Sequence, residues 1–121
     1  MHIENFLNYC LSLSHTQEDF PFGPDNLVLK VGGKIFAITD LSSEDFRVNL
    51  KCDPEWAIEL REKYYEIKSG YHMNKKHWNT VSFQGSLSDE FLKELINHSY
   101  EMVYKRLSKK IKIELENQEG D

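Results

Sequence analysis

Cysteine is scarce in this chain. Only Cys10 and Cys52 occur among 121 residues, and neither stands in a Cys-x-x-Cys. That excludes a disulfide framework and a cysteine-based zinc or redox site, and leaves two reduced structural thiols. Net positive charge is missing too: 20 Asp and Glu against 15 Lys and Arg give a formal charge of −5. A protein that coats nucleic acid through its overall charge needs the opposite sign, so any phosphate contact must come from a local patch. No uninterrupted apolar run appears, and the opening MHIENFLNYCLSLSH carries an acid early. A signal peptide and a membrane span are therefore not expected, and a soluble, cytoplasmic protein is. There is no internal repeat, no Walker-type loop, no GxSxG and no dinucleotide fingerprint, so the reading is not an enzyme, with no catalytic residue and no cofactor.

What is present suits one domain, since 121 residues do not hold two cores. Ile3, Phe6, Leu7, Cys10 and Leu11 make one apolar stripe, predicting a helix over His2 to Leu13. The segment from His15 to Pro24 lacks periodicity and reads as a loop anchored by Phe20 and Phe22. Two alternating runs flank Gly32-Gly33, the two-residue loop of a hairpin in which Leu29 faces Phe36 and Leu27 faces Ile38. Leu27, Leu29, Phe36 and Ile38 then form its core face, and Phe46, Val48 and Leu50 add a third strand with one buried side. Asp53 and Pro54 open a second helix, whose stripe Ala57, Leu60, Tyr64 and Ile67 runs to Ser69-Gly70. Tyr71 to Met73 reads as a short strand, Asn74 to His77 as its turn and Trp78 to Phe83 as a further strand. Ser88 caps a last helix with a stripe from Phe91 to Leu107. The predicted class is α+β, order α-β-β-β-α-β-β-α, an antiparallel sheet with helices packed on one face. The domain is expected to end near residue 115, with 116–121 a frayed acidic tail.

The chemistry concentrates in Lys68 to Leu87, KSGYHMNKKHWNTVSFQGSL. Adjacent Lys75 and Lys76 on a tight turn, with His72, Asn74 and His77 as further donors, suit phosphate contact. Trp78 either stacks on a base or covers the second or third helix. Lysines also keep hairpin tips soluble, which is the plainer role for any one of them. His72 and His77 are two candidate metal ligands, but no third has a recognisable spacing, and no metal is expected. Asp89, Glu90, Ser82 and Ser86 lie near the histidines without a diagnostic spacing. A rival reading has Tyr71, His72, His77 and Trp78 lining a pocket for a small molecule or peptide.

The run His-x-Asn-Lys-x-His-Trp-x-Thr-Val (His72, Asn74, Lys75, His77, Trp78, Thr80, Val81), followed by Gly85-Ser86-Leu87 and the Ser99-Tyr100 pair, resembles the MmcQ/YjbR family of small bacterial proteins. The likeness covers nearly the whole chain. It implies an α+β fold of the CyaY-like or secretion-chaperone type and a DNA-binding role in which two hairpins act as a double wing. Carried onto this chain, one wing is the Gly32-Gly33 hairpin with Lys30 and Lys34, the other Asn74, Lys75, Lys76 and His77. The partner is then DNA; the sequence does not give the oligomeric state, and a monomer is the expectation.

Overall fold

Residues 1–119 are described by the computed structural model. Its elements are α1 (Ile3–Ser12), β1 (Thr16–Asp19), β2 (Asn26–Val31), β3 (Lys34–Asp40), β4 (Arg47–Lys51), α2 (Pro54–Lys63), β5 (Ile67–Ser69), β6 (Trp78–Ser82), α3 (Asp89–Tyr104) and α4 (Lys109–Glu119). The six strands form one antiparallel sheet in the order β1-β2-β3-β4-β6-β5. One face carries the core. Leu27, Leu29, Val31, Phe36, Val48, Leu50 and Val81 meet Phe6 and Cys10 of α1, Ala57 and Leu60 of α2 and Leu92, Leu95 and Ile96 of α3. The α+β architecture with helices on one face is as the sequence predicts.

Four elements depart from expectation. β1 replaces the predicted loop. Its residues Thr-Gln-Glu-Asp have no apolar alternation and join β2 through the backbone ladder and one ion pair, so periodicity cannot find them. Phe20 and Phe22 do not anchor that segment in the core; they are 43% and 64% exposed. α2 stops at Lys63 because Tyr64 turns extended, and Ile67 leaves the helical stripe to pair with Val81. Cross-strand pairing there overrides a helical i, i+3 spacing. Tyr71 to Met73 is consequently turn, not strand. The segment after Leu107 forms α4, opened by Ser108, whose hydroxyl accepts from the Ile111 N–H at 3.2 Å. Ile111 and Leu115 pack back on the core, so the expected fraying after Leu115 gives way to helix through Glu119. Residues 120 and 121 of that predicted tail lie outside the described residues.

The most consequential departure is in register. Val31 pairs with Lys34 and Lys30 with Ile35, but Leu29 then pairs with Ala37 and Val28 with Ile38. β3 therefore carries one extra residue, Phe36, which reverses the facing of everything after it. Phe36 and Ala37 are both buried, whereas Ile38, expected in the core, lies half-buried on the opposite face. Phe46 is also half-buried, seated edge-on at the rim of the core against Phe6. The bulge is held by Ser99, which is fully buried. Its hydroxyl donates to the Phe36 carbonyl at 2.5 Å and accepts the Lys51 N–H at 2.8 Å. Ser99→Ala leaves two buried backbone groups without that partner, and should cost about 1–3 kcal/mol. Urea unfolding is expected to show a lower midpoint at unchanged slope; a midpoint equal to the parent's contradicts this role for the hydroxyl.

Candidate functional site

Strand directions set where charge collects. β3 starts at Lys34, beside the Gly32-Gly33 tip, and β4 ends at Lys51, opposite Trp78 at the start of β6. Both predicted hairpin tips therefore lie at the same end of the sheet. α3 ends there as well: a Cβ built on Gly32 would stand 2.6 Å from Leu107 Cδ1 and 3.1 Å from Ile111 Cγ2. This end gathers exposed Lys34, Lys75, Lys76, Lys105, Arg106, Lys109 and Lys110. Half-buried Lys51 joins them; burial and then the nearby Arg106 charge hold its pKa below the usual lysine value. The opposite end holds Asp40, Glu44 and Asp45 of the β3–β4 turn and Asp89 and Glu90 at the start of α3. A chain with a net negative charge thus has one basic pole.

The predicted contact residues are not equivalent at that pole. Lys30 does not point into it: its ammonium is 2.7 Å from Asp19 on β1, an ion pair that also lowers the Asp19 carboxyl pKa. The Gly32-Gly33 tip is no free wing, because Leu107 and Ile111 seat against it. Lys75 is tied down, donating to the Gly70 carbonyl at 2.9 Å. Asn74 closes its own turn, its side chain accepting from the Lys76 N–H at 3.0 Å. Lys34 and Lys76 remain exposed and without such partners among the described residues.

The turn from Gly70 to His77 is organised by Thr80 of the family-like run and by two residues that local patterning does not single out, Arg61 and Asn49. Arg61 of α2 donates from Nε to Asn79 Oδ1 at 2.7 Å and from its terminal nitrogen to the Lys75 carbonyl. On the other side, Thr80 Oγ1 accepts the Tyr71 N–H at 2.9 Å and donates to Asn49. Between these clamps His72 adopts φ +58, a left-handed conformation uncommon outside glycine, with its ring centroid 4.0 Å from that of Tyr71. His77 instead accepts the Cys52 N–H through its carbonyl at 2.8 Å, and its buried Nδ1 has no partner among the described residues. No group of three or more His, Cys, Asp or Glu able to hold a metal occurs among the described residues. His98, also missed, accepts the Asp53 N–H at 3.0 Å, joining α3 to the start of α2; burial depresses its pKa and keeps it a neutral acceptor.

Trp78 does not cover a helix. It lies on the open face of the sheet with Thr80, across from Lys51 and Asn49, and the Lys51 ammonium stands 6.0 Å from its ring centroid. There it walls a groove of about 500 Å³ whose floor is Ile35, Ile38, Asn49 and Thr80. Tyr71, His72 and Met73 rise on one side, Phe22 on the other, and Asp40, Asp45 and Arg47 close the end away from the basic pole. Of the residues predicted to line a pocket, Tyr71, His72 and Trp78 do, and His77 does not. A second hollow of about 490 Å³ lies at the acidic end, between the start of α1 and the β3–β4 turn, and holds none of the predicted site residues.

The YjbR family model matches residues 11–102, three-quarters of the chain and the whole of the sheet. This chain belongs to the YjbR family. It is 42% identical over 101 residues to YbdF of Escherichia coli O157:H7, covering 83% of this chain and 82% of that protein. To YjbR of Escherichia coli K12 it is 31% identical over 101 residues, covering 84% and 86%. Among solved structures, the DUF419 protein DR2400 of Deinococcus radiodurans superposes with a TM-score of 0.87 at 39% identity, covering 93% of this chain and 86% of that one. A protein from Pseudomonas syringae does so with a TM-score of 0.73 at 28% identity, covering 84% and 98%. In this YjbR-family chain the groove, the Gly70–His77 turn and the strands beneath them fall inside the matched residues, whereas α4 and its lysines fall outside.

Gly70 is where the turn tolerates no side chain. A Cβ there would meet Trp78 Cβ at 2.8 Å and Met73 Cβ at 3.0 Å, atoms that cannot swing away. Gly70→Ala should therefore cost about 1–3 kcal/mol in overpacking and speed amide exchange from Tyr71 to His77. Parent-like melting with unchanged exchange would show that this close approach does not hold the turn.

Proposed function

We propose that this protein is a non-enzymatic nucleic-acid-binding module that holds phosphates at its basic pole. The observation that carries the reading is the convergence of two hairpin ends and the α3–α4 corner on one end of an otherwise acidic molecule. Exposed Lys34, Lys76, Lys105, Arg106, Lys109 and Lys110 gather there, and phosphate binding needs such a local positive surface. The charge order of α4 supports it. Lys109 and Lys110 open the first turn, where the helix dipole disfavours cations, and that turn holds no acid; Lys112 beside them donates to the Lys105 carbonyl at 2.9 Å. A phosphate approaching that turn would relieve the unfavourable charge. The double wing becomes a single basic end, with one hairpin tip packed under α4 and Lys30 committed to Asp19.

The test is a DNA titration across salt concentrations. Lys34→Ala with Lys76→Ala should weaken binding and reduce the slope of log K against log salt by about 0.9 per lost contact on duplex, or about 0.7 on single strands. Lys105→Ala with Arg106→Ala should act in the same direction. Lys30→Ala should leave the slope as it is. Thermal stability of the Lys34 and Lys76 variants should stay within about 0.5 kcal/mol of the parent. An unchanged slope in both paired variants would remove the basic pole from the site.

A further inference from the structure

We infer that the groove on the open sheet face receives an unstacked base, which makes the preferred partner a single-stranded nucleic acid rather than a duplex. The inference rests on the nucleic-acid reading of the basic pole and specifies its substrate class. An aromatic groove has no use for a duplex, whose bases are stacked inside and whose surface offers phosphates. A splayed base fits it, because every base has a face that stacks on an aromatic side chain. Trp78 supplies that surface at the end of the groove nearest the lysines, and the Lys51 ammonium already lies beside its ring.

The distribution of charge fixes the ligand's direction. Arg47 and Lys51 stand on the same face of β4 as Asn49, four residue steps apart, or about 13 Å along the strand. Lys68 on β5 pairs with Thr80 and shares that face. The guanidinium of Arg47 has no hydrogen-bond or ion-pair partner among the described residues. Asp40 and Asp45 outnumber Arg47 at the far end and leave it net negative, unfavourable for a phosphate, while a carboxylate accepts readily from a base's exocyclic amine. The backbone therefore runs across the lysines of the basic pole and the base points inward along the groove. Tyr71 and Phe22, 65% and 64% exposed on its two sides, are apolar surface that a base and sugar would cover. An extended peptide is the poorer occupant: the face offers side chains, not the unpaired strand edge from which a peptide gains main-chain hydrogen bonds.

The experiment compares a fluorescein-labelled ten-nucleotide DNA of mixed sequence, as a single strand and as its duplex, by anisotropy at low and moderate salt. Parent protein should bind the single strand at least about tenfold more tightly than the duplex. Trp78→Leu should weaken single-strand binding on the order of 5- to 150-fold, the range for losing one base stack, and leave duplex binding nearly unchanged. Trp78 is half-buried and its substitution can disturb the fold, so the exposed Tyr71→Ala is the second variant; it should lose single-strand affinity in the same sense with parent-like melting. Equal affinity for the two DNA forms, with Tyr71→Ala indifferent, would overturn the groove assignment while leaving salt-dependent binding at the pole intact. Absence of binding to either form at low salt would overturn both readings.

Discussion

The hydroxyl of Ser99 is the hinge on which the two faces of the sheet depend. The Phe36 carbonyl, at the bulge of β3, is buried where an unpaired polar group is costly. Ser99 satisfies it and accepts the last N–H of β4 in the same stroke. With the bulge stabilised, Phe36 enters the core against Tyr100 while Ile38 turns to the other side. Without that reversal Ile38 would be one more core residue and the groove would lose part of its apolar floor. The serine thus links helix packing on one face to a cavity on the other.

Electrostatics are segregated along the strands rather than between the faces. Antiparallel connections bring the start of β3, the end of β4 and the start of β6 to one end, and α3 delivers its C-terminus there. Acids collect where β3 turns into β4 and where α3 starts, a position that also suits the dipole of α3. The proposed binding mode uses this separation: cations hold a backbone at one end, and carboxylates at the other keep phosphate out of the groove. Net charge alone conceals such an arrangement, because the poles cancel in the sum.

Much of the fold was legible from periodicity. The stripes of α1 and α3, the Gly32-Gly33 turn and the Asp53-Pro54 helix start each follow from local chemistry, and the structure places them where the spacing predicts. β1 was hidden because an edge strand of Thr-Gln-Glu-Asp buries almost nothing and is held by backbone bonds to β2. Ile67 misled because its spacing from Tyr64 fits a helix, and only pairing with Val81 reveals a strand. In the site, the cluster from Tyr71 to Trp78 was visible as composition, but its division was not. Whether a lysine is available depends on partners such as Asp19 for Lys30 and the Gly70 carbonyl for Lys75, which no local pattern encodes. Arg61 and Asn49 were equally silent, since each acts on a turn distant from it in sequence, and Thr80, though part of the family-like run, showed no sign there of its bond to Tyr71.

The central claim is that ligand engages the open sheet face and the adjoining basic pole together. The most direct measurement is amide and side-chain chemical-shift mapping of the isotopically labelled protein during titration with a short single-stranded DNA. The account predicts shifts at the Trp78 indole, at Asn49 and Thr80 in the groove floor, through the Gly70–His77 turn and at Lys34, with the α1 and α2 surfaces unmoved. Shifts confined to the helical face or to the acidic end would contradict it.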